Sequence, residues 1–235
     1  DFMEILLMPE LPEVESLRRY LVREGMVGRT FERVDLEDKP ESANGTGTIA
    51  DARLVVDRTV QSLERRGKQI AVVLDGFELG FHMGMTGQVS VLEPDEEPPR
   101  FMRAVFNLTG NFRIALIDPR RWAKIRSFET LDHAFAGLGP DALDPNFTAE
   151  KFAEVVGGRK AVIKPLLLNQ AVIAGVGNIY ADEALHRVGI SPARRANQIS
   201  SRDLRGLFVA IRDSLEQALE FILTHPDDRG RPYIV

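Results

Sequence analysis

The strongest constraint on the fold of this chain is a change of sequence pattern near residue 130. Between residue 30 and about residue 128, short apolar runs such as TVQSLERRGKQIAVVLDG and NFRIALID alternate with turns rich in Gly, Asn and Asp. That spacing is typical of an antiparallel sandwich or barrel. From about residue 140 onward, the apolar residues recur at helical spacing instead. The sequence therefore predicts an α+β chain, with a β-rich first part and an all-helical second part.

Helical patterns stand on both sides of the β-rich part. Ahead of it, apolar residues from Leu11 to Val22 recur at helical spacing, and acidic residues come before basic ones, the polarity that a helix dipole favours. Pro12 fits such a helix only in its first turn. Further along, Thr148 is placed to cap a helix, and residues 201–224 show the clearest helical pattern. Its apolar stripe consists of Leu204, Leu207, Phe208, Ile211, Leu215, Leu219 and Ile222.

Composition excludes several classes of site. The 235 residues contain no cysteine, so a disulfide, a thiolate zinc site and a catalytic thiol are all excluded. No apolar run reaches the length of a membrane span. The net charge of −5 argues mildly against a nucleic-acid partner, yet residues 159–235 hold 11 basic against 8 acidic residues. An acidic protein can bind DNA when its basic groups converge on one face; solvated surface clusters are the alternative.

The segment GVGNIYADEAL places two glycines before Asn178, at the start of a predicted helix. Glycines allow a phosphate to approach the backbone, and a helix N-terminus offers free N–H groups and a positive dipole end. The side-chain amide of Asn178 would add a donor for the same anion. Tight packing between helices is the competing interpretation of this glycine-rich turn.

Three other segments carry residue types that suit a DNA-binding surface. Lys68 follows two arginines in RRGK. The two interpretations of this lysine are a phosphate ligand and the solvated end of a strand. The turn HMGMTG carries Met83 and Met85, which suit either an exposed position on the turn or a routine core position. Trp122, the only tryptophan, stands beside two arginines in DPRRW, which suits either a core position or stacking on bases.

Taken in order, the motifs MPELPEVE, RRGK, HMGMTG, DPRRW, LGPDAL, IKPLLLNQ and GVGNIYADEAL resemble those of the bacterial formamidopyrimidine-DNA glycosylase and endonuclease VIII family. The resemblance covers roughly residues 8–200. It implies an antiparallel β-sandwich preceded by a helix, then an all-helical helix–two-turn–helix domain. We expect an N-terminal extension at 1–8, a catalytic domain at 9–130 and a DNA-binding domain at 131–235. The implied activity is base-excision repair: oxidised bases are removed from duplex DNA, and the strand is cut by β,δ-elimination.

The resemblance also assigns catalytic roles. Pro9, with a free amine, would attack the sugar C1′ and form a Schiff base, since a terminal amine with a pKa near 8 is partly neutral at pH 7. Glu10 would protonate the ring oxygen and transfer protons during elimination. Glu13 would help to hold the site, and Lys68 completes the catalytic set.

DNA-binding roles follow from the same resemblance. Lys68 and Asn178 would grip the phosphates beside the lesion, which positions DNA without reading its sequence. A glycosylase must extrude its base, and residues that fill the resulting gap offset the lost stacking. The gap-filling residues are implied to be Met85, Arg120 and Trp122, and Lys164 in IKPLLLNQ joins the DNA-binding set.

The chain departs from the family pattern in three places. Trp122 stands where formamidopyrimidine-type members usually have phenylalanine. The usual zinc finger has no counterpart here because the chain contains no cysteine, so we expect neither a metal nor another cofactor. The segment EQALEFILTHPDDRG does not match the usual loop that covers 8-oxoguanine, which leaves the preferred oxidised base open.

In the sequence as given, the nitrogen of Pro9 forms an amide with Met8 and is no nucleophile. We interpret residues 1–8 as a tag remnant or a mis-assigned start, with proteolytic removal as another route to a free Pro9. A non-catalytic protein that binds lesions or abasic sites is the alternative function, and a helix–two-turn–helix module in a ribosomal or topoisomerase context is a third. We expect a cytoplasmic, nucleoid-associated bacterial monomer that binds damaged duplex DNA and no membrane.

Overall fold

The first helix begins directly after the PE pair at residues 9–10. In the computed structural model, which describes residues 9–38, 48–228 and 230–232, helix α1 spans Leu11–Arg23. The backbone N–H of Glu10 donates to the carboxylate of Glu13 at 2.9 Å and so satisfies one donor before the first turn. The helix was predicted, but Val22 is 41% exposed and not part of its buried face. The predicted extension, residues 1–8, lies outside the described residues.

The β-rich part is a sandwich of two four-stranded sheets, and every pairing between its strands is antiparallel. This confirms the α+β fold class and selects the sandwich over the barrel. One sheet has the order β1-β6-β7-β5 and the other β2-β3-β4-β8. The strands are β1 Phe31–Leu36, β2 Val60–Arg66, β3 Gln69–Leu74, β4 Glu78–His82, β5 Gln88–Leu92, β6 Met102–Leu108, β7 Phe112–Ile117 and β8 Lys124–Phe128.

Burial explains why these residues form a sandwich. Phe106 and Ile114 from one sheet share a core with Ile70 and Leu79 from the other, and α1 covers it with residues such as Leu17. Apolar side chains on the inner faces of two sheets are removed from water together, and this burial drives the sheets into contact.

Strand β8 was not predicted, because the segment around it was interpreted as a turn. Within Lys124–Phe128, Ile125 is the one fully buried residue, and Arg126 is exposed. The strand lies at the edge of its sheet, where charged side chains face solvent and the apolar alternation is weak.

Beyond the sandwich, the described chain is helical. Thr148 accepts a hydrogen bond from the backbone N–H of Lys151 and caps α3, as predicted. The seven residues of the predicted stripe in the last helix are all buried, so that helix packs as the pattern indicated. The helices are α2 Leu131–Ala134, α3 Ala149–Gly157, α4 Ile163–Leu168, α5 Asn178–Arg187 and α6 Ser201–Thr224.

The helical part and the sandwich meet at the start of α1. Leu11 is fully buried and belongs to the helical core, unlike the rest of the buried face of α1. Its backbone N–H donates to the carbonyl of Gly175 at 3.2 Å. Gly175 has φ +111°, and a Cβ at this position would overlap the side chain of Leu11, so glycine permits this close approach.

Arg65 connects the two parts electrostatically. Its guanidinium contacts Glu15 at 2.9 Å and Asp141 at 2.6 Å, and all three side chains are largely buried. Glu15 belongs to α1, Arg65 to β2, and Asp141 to the segment that leads into the helical part. Removing one member would leave a buried charge without its partner, which makes such a network costly to break.

None of the helices in the described part of the chain is long and apolar enough to cross a membrane.

Candidate active site

A cleft of about 370 Å³ opens where the sandwich meets the helical part. Residues from both parts line it, so its shape depends on how they pack together. Four of the predicted site residues lie in this cleft, which we call the Glu10–Lys68 cleft. Its lining consists of Glu10, Lys68, Gln69, His82, Met85, Leu138, Leu168, Gln170, Gly177, Asn178 and Ile179.

The carboxylate of Glu10 is held at the N-terminus of α5. Its two oxygens accept hydrogen bonds from the backbone N–H groups of Gly177 at 2.6 Å and Ile179 at 3.0 Å. Those N–H groups lack partners within the helix, and a negative charge is stabilised by the positive end of the helix dipole. Glu10 is only 3% exposed, so its carboxylate is fixed in one position.

Glu13 lies behind Glu10 and holds it in place. One oxygen of Glu13 accepts from the Glu10 backbone at 2.9 Å, and the other accepts from the hydroxyl of Tyr180 at 2.8 Å. Burial, together with the two glutamates, raises the pKa of Tyr180, so its hydroxyl keeps the proton that it donates. Glu13 does not line the cleft, and its contacts make it a support for the neighbouring carboxylate.

The pKa values of Glu10 and Lys68 are shifted toward each other. Burial raises the pKa of Glu10, although Lys68 and the backbone N–H groups of Ile179 and Gly177 oppose the shift. Burial lowers the pKa of Lys68, against the opposing effect of Glu10 and Glu13. Both groups are therefore more easily neutralised than in water. Such a pair in a cleft suits proton transfer.

Pro9 is buried and is not among the residues that line the cleft. It immediately precedes Glu10, whose carboxylate does line it.

Three residues predicted to fill the gap in DNA form a cluster at the edge of the cleft. The guanidinium of Arg120 is 4.0 Å from the sulfur of Met85, and its central carbon lies 5.3 Å from the ring centroid of Trp122. Arg120 is exposed, and Trp122 is half-buried. For the other methionine of the turn the core interpretation is correct, because Met83 is 4% exposed and packs in the sandwich core.

One buried carboxylate, that of Asp118, joins the two loops that carry this cluster. It accepts hydrogen bonds from the backbone N–H groups of Trp122 at 2.6 Å and Ala123 at 2.7 Å. It also accepts from the backbone of Arg120 and from the hydroxyl of Thr86, which follows Met85. Asp118 stands in DPRRW but was not predicted, because its bond to Thr86 on the other loop leaves no trace in the local sequence.

The other two predicted DNA ligands occupy different surroundings. Asn178 is the exposed first residue of α5 and lines the cleft beside Gly177. Lys164 does not line the cleft; its ammonium group forms an ion pair with Asp182 at 2.9 Å.

His82 and Gln170 are among the residues of the cleft lining that were not predicted. His82 accepts a hydrogen bond on Nδ1 from the backbone of Gly84, and burial, together with Lys124 and Lys68, lowers its pKa. Gln170 fixes the glycine loop: its amide donates to the carbonyl of Val176 at 2.9 Å, and its oxygen accepts from Gly175 at 2.9 Å. Both stand in quoted motifs, HMGMTG and IKPLLLNQ, but those motifs do not show which side chains face the cleft.

The residues present do not fit the zinc site that is usual in the resembling family. The chain has no cysteine, and among the residues that the structure describes no group of three or more His, Asp or Glu side chains could hold a metal ion.

Comparison with known families identifies the class. Residues 8–125 match the family model of the formamidopyrimidine-DNA glycosylase N-terminal domain, and residues 138–225 match that of the formamidopyrimidine-DNA glycosylase H2TH domain. The formamidopyrimidine-DNA glycosylase of Herpetosiphon aurantiacus is 37% identical over 216 residues, which are 91% of this chain and 79% of that protein. That of Roseiflexus sp. is 38% identical over 215 residues, 90% of this chain and 78% of that protein.

Solved structures show the same similarity. MutM (Fpg) from Thermus thermophilus is 34% identical, with a TM-score of 0.78 over 95% of this chain and 82% of that one. The Lactococcus lactis enzyme, non-covalently bound to DNA that contains an AP site, is 26% identical, with a TM-score of 0.80 over 91% of this chain and 82% of that one. The chain belongs to the formamidopyrimidine-DNA glycosylase family. This membership confirms the predicted resemblance, the helix–two-turn–helix fold and the prediction of a base-excision repair DNA glycosylase.

Proposed function

We propose that this glycosylase removes oxidised bases from damaged duplex DNA and then cuts the strand, with the free amine of Pro9 as nucleophile. The observation that carries the proposal is the Glu10 carboxylate. It is buried at the start of α5, faces Lys68 across the cleft and immediately follows Pro9. This arrangement places an acid of raised pKa next to the proposed amine.

The proposed reaction uses the two residues in sequence. The neutral amine of Pro9 attacks C1′ of the damaged nucleotide, the bond from C1′ to the base breaks, and the proton of the amine neutralises the departing base. Glu10 donates its proton to the ring oxygen, the C1′–O4′ bond opens, and an iminium forms between the Pro9 nitrogen and C1′. The Glu10 carboxylate then takes a proton from C2′, and the bond from C3′ to its phosphate oxygen breaks, which is the β step. In the δ step Glu10, having returned that proton to solvent, takes a proton from C4′, and the bond from C5′ to its phosphate oxygen breaks. Water then hydrolyses the iminium, which releases the unsaturated sugar aldehyde and regenerates Pro9.

Other residues of the cleft have binding roles in this proposal. Lys68 and Asn178, which line the cleft from the two parts of the molecule, hold the phosphates beside the lesion. The positive charge of Lys68 also stabilises the Glu10 carboxylate after it has given up its proton, since this charge opposes the rise in the pKa of Glu10. Met85, Arg120 and Trp122 enter the gap left by the extruded nucleotide, and Lys164 makes a further contact to DNA when it leaves Asp182.

The same proposal includes the domain organisation. Residues 9–130 form the catalytic domain, which also contacts DNA through Lys68 and the gap-filling cluster, and residues 131–235 form the DNA-binding domain. Residues 1–8 are an extension that must be absent for activity. The enzyme acts as a monomer without a cofactor, in the cytoplasm of a bacterial cell and on its nucleoid. The DNA complexes solved for Lactococcus lactis relatives, which contain AP-site or formamidopyrimidine DNA, support damaged DNA as the partner.

Borohydride trapping on duplex DNA with an abasic site tests this proposal. The chain as given is compared with a chain whose first residue is Pro9, because borohydride reduces the iminium to a stable amine. An adduct that forms only with the Pro9-first chain supports Pro9 as the nucleophile. Equal adducts from both chains would overturn that assignment and point to a lysine, Lys68 first. Binding without an adduct in either chain would favour the non-catalytic lesion-binding alternative.

A further inference from the structure

A second cavity, of about 380 Å³, adjoins the Glu10–Lys68 cleft and shares Gln69 and His82 with it. It lies on the face of the sheet β2-β3-β4-β8 against which α2 packs, and it is lined by basic side chains. We call it the outer-sheet cavity. Its basic lining residues are His82, Lys124, Arg126 and His133.

Strand register arranges these side chains in rows. His82 pairs with Lys124, and Gly80 pairs with Arg126 in the next row of the same face. Side chains two residues apart on one strand point to the same face and lie roughly 6.6 Å apart. His82 also lines the Glu10–Lys68 cleft. Lys124 and Arg126 therefore form a line of positive charge that leads away from the cleft along the sheet.

The ring of Phe128 fills the space above Gly80, which pairs with Arg126, because a Cβ at position 80 would lie 2.7 Å from that ring. The floor of the outer-sheet cavity beside Arg126 is therefore an aromatic ring, and Lys124 and Arg126 supply the positive charge around it.

The charges on this face are available for a ligand. In the described part of the chain, neither Lys124 nor Arg126 forms an ion pair or a side-chain hydrogen bond. The carboxylate of Glu129, at the end of this face, is 90% exposed and pairs with His133 at 3.9 Å. Glu78 lies at the far end of the face, opposite Phe128.

We propose that Lys124 and Arg126 form a second phosphate subsite, which holds a backbone phosphate of the DNA strand as it leaves the Glu10–Lys68 cleft. The inference rests on the proposed function for the identity of its ligand, a phosphodiester of duplex DNA. Two cations without ion-pair partners, in a cavity that shares Gln69 and His82 with the cleft, suit an anion that repeats along a strand. The subsite would lengthen the footprint of the enzyme on one side of the lesion only.

The test is a double variant, Lys124→Ala with Arg126→Ala, measured by DNA-binding titration on asymmetric duplexes. On a duplex with long arms on both sides of an abasic-site analogue, affinity at moderate salt should fall by about tenfold or more. The slope of log K against log salt should become less steep by about 1–2, since each lost phosphate contact contributes about 0.9. When the duplex arm that reaches the subsite is shortened, wild type and variant should bind with equal affinity. When the opposite arm is shortened, the variant should still bind more weakly than the wild type.

A matched control removes the same net charge elsewhere. Arg53→Ala with Arg100→Ala removes two exposed cations of residues 9–130 that line neither cavity. Its salt slope should stay at the wild-type value. A Lys124/Arg126 variant that binds like this control, or whose deficit is the same on all duplexes, would overturn the subsite.

A further experiment distinguishes binding of a strand phosphate from binding of a free anion. Inorganic phosphate alone is titrated into the protein and followed by calorimetry, with chloride of equal ionic strength as the reference. If the double variant lost phosphate binding but bound DNA like the wild type, the site would serve a free anion and the proposal would be wrong. Borohydride trapping at saturating DNA should be unchanged by the double variant, so failure of the subsite and failure of the proposed chemistry give different results.

Discussion

Glu10 and Gly177 are 167 residues apart in the chain and are joined by a hydrogen bond of 2.6 Å, from the glycine N–H to the carboxylate. The bond crosses from the start of α1 to the start of α5. The acid of the proposed reaction is thus positioned by the helical part of the molecule, although it belongs to the segment that precedes the sandwich. Catalysis and the joining of the two parts depend on the same contact.

Gly177→Ala should disable the site without damage to the backbone. Residue 177 has φ −124°, which alanine adopts freely, but a Cβ there would overlap the carboxylate of Glu10. We expect Glu10 to be displaced and adduct formation by the Pro9-first chain to fall by at least about tenfold, in line with the usual contribution of acid–base catalysis. Gly206→Ala in α6, where a Cβ meets nothing within 4 Å, is the control. Full activity of Gly177→Ala would contradict the assigned position of Glu10.

Glu10→Gln should suppress turnover while DNA binding persists. The amide cannot donate a proton as a carboxylic acid does, and its NH₂ group would face backbone N–H groups that need an acceptor. We expect single-turnover base excision to slow by about 10²–10⁴-fold, the usual contribution of a general acid or base. Glu32→Gln, at an exposed position on β1, is the matched control. Wild-type turnover by Glu10→Gln would remove its proton-transfer role.

Lys68→Ala and Asn178→Ala should weaken DNA binding regardless of base sequence. Both residues line the cleft from opposite parts of the molecule, and contacts to phosphates carry no sequence information. The salt slope should become less steep by about 0.9 for Lys68→Ala, which removes a charge, and should change little for Asn178→Ala. Lys151→Ala, an exposed residue on α3, serves for comparison. Affinities that equal the wild type at moderate salt would show that these residues do not hold phosphates.

Thr86→Val should loosen the gap-filling cluster and leave the fold intact. The change removes one hydrogen bond to Asp118, while the backbone N–H groups of Trp122 and Ala123 still bind this carboxylate. A lost hydrogen bond to a buried charged group costs about 1–3 kcal/mol of unfolding free energy. We expect a reduced preference for abasic over intact duplex in binding titrations.

Asp118→Asn tests the same connection more severely, because asparagine keeps only one acceptor oxygen and its NH₂ group cannot accept from the backbone N–H groups that bind the other oxygen. Its unfolding free energy should fall further than that of Thr86→Val. If both variants kept the wild-type preference for abasic DNA, Asp118 would be a structural residue without influence on the cluster.

Glu15→Gln should alter acid stability. Burial by itself would raise the pKa of Glu15, but hydrogen bonds from Arg18, Arg19 and Arg65 lower it to about 2, from 4.5. Because the folded pKa lies below the unfolded one, the stabilisation is complete above pH 4.5 and is lost as pH falls toward 2. It is worth on the order of 2–3 kcal/mol.

Urea unfolding between about pH 2 and pH 7 measures this effect. The difference in unfolding free energy between wild type and Glu15→Gln should be constant above about pH 5 and should shrink at lower pH. Glu32→Gln gives the baseline for loss of an exposed carboxylate. A difference that does not change between about pH 5 and pH 2 would contradict the lowered pKa of Glu15.

Local patterns in the sequence were enough to predict most of the fold. Turn-punctuated apolar runs predicted the sandwich, and the stripe from Leu204 to Ile222 predicted α6, because alternation and helical spacing report directly on which face is buried. Strand β8 escaped prediction because only Ile125 in it is fully buried. An edge strand leaves a weak apolar pattern.

The site was predicted less completely, because its geometry depends on contacts between distant segments. Motifs picked out Glu10, Lys68, Met85 and Asn178, which the structure brings to one cleft, and their roles remain predictions. No local pattern reveals that Asp118 joins two loops. For the same reason, the ion pair between Lys164 and Asp182 could not be predicted, because the two residues are 18 positions apart in the sequence.

Leu11 has a consequence for how the protein is made. It leaves the ribosome long before the residues that surround it, because its place is inside a core otherwise formed by residues from Ala142 to Leu215. The sandwich can collapse while the chain is still growing, but the helical part must close over a side chain synthesised long before. Contacts of such large sequence separation slow folding. We therefore expect the closure of the helical core over Leu11 to be a late step in folding.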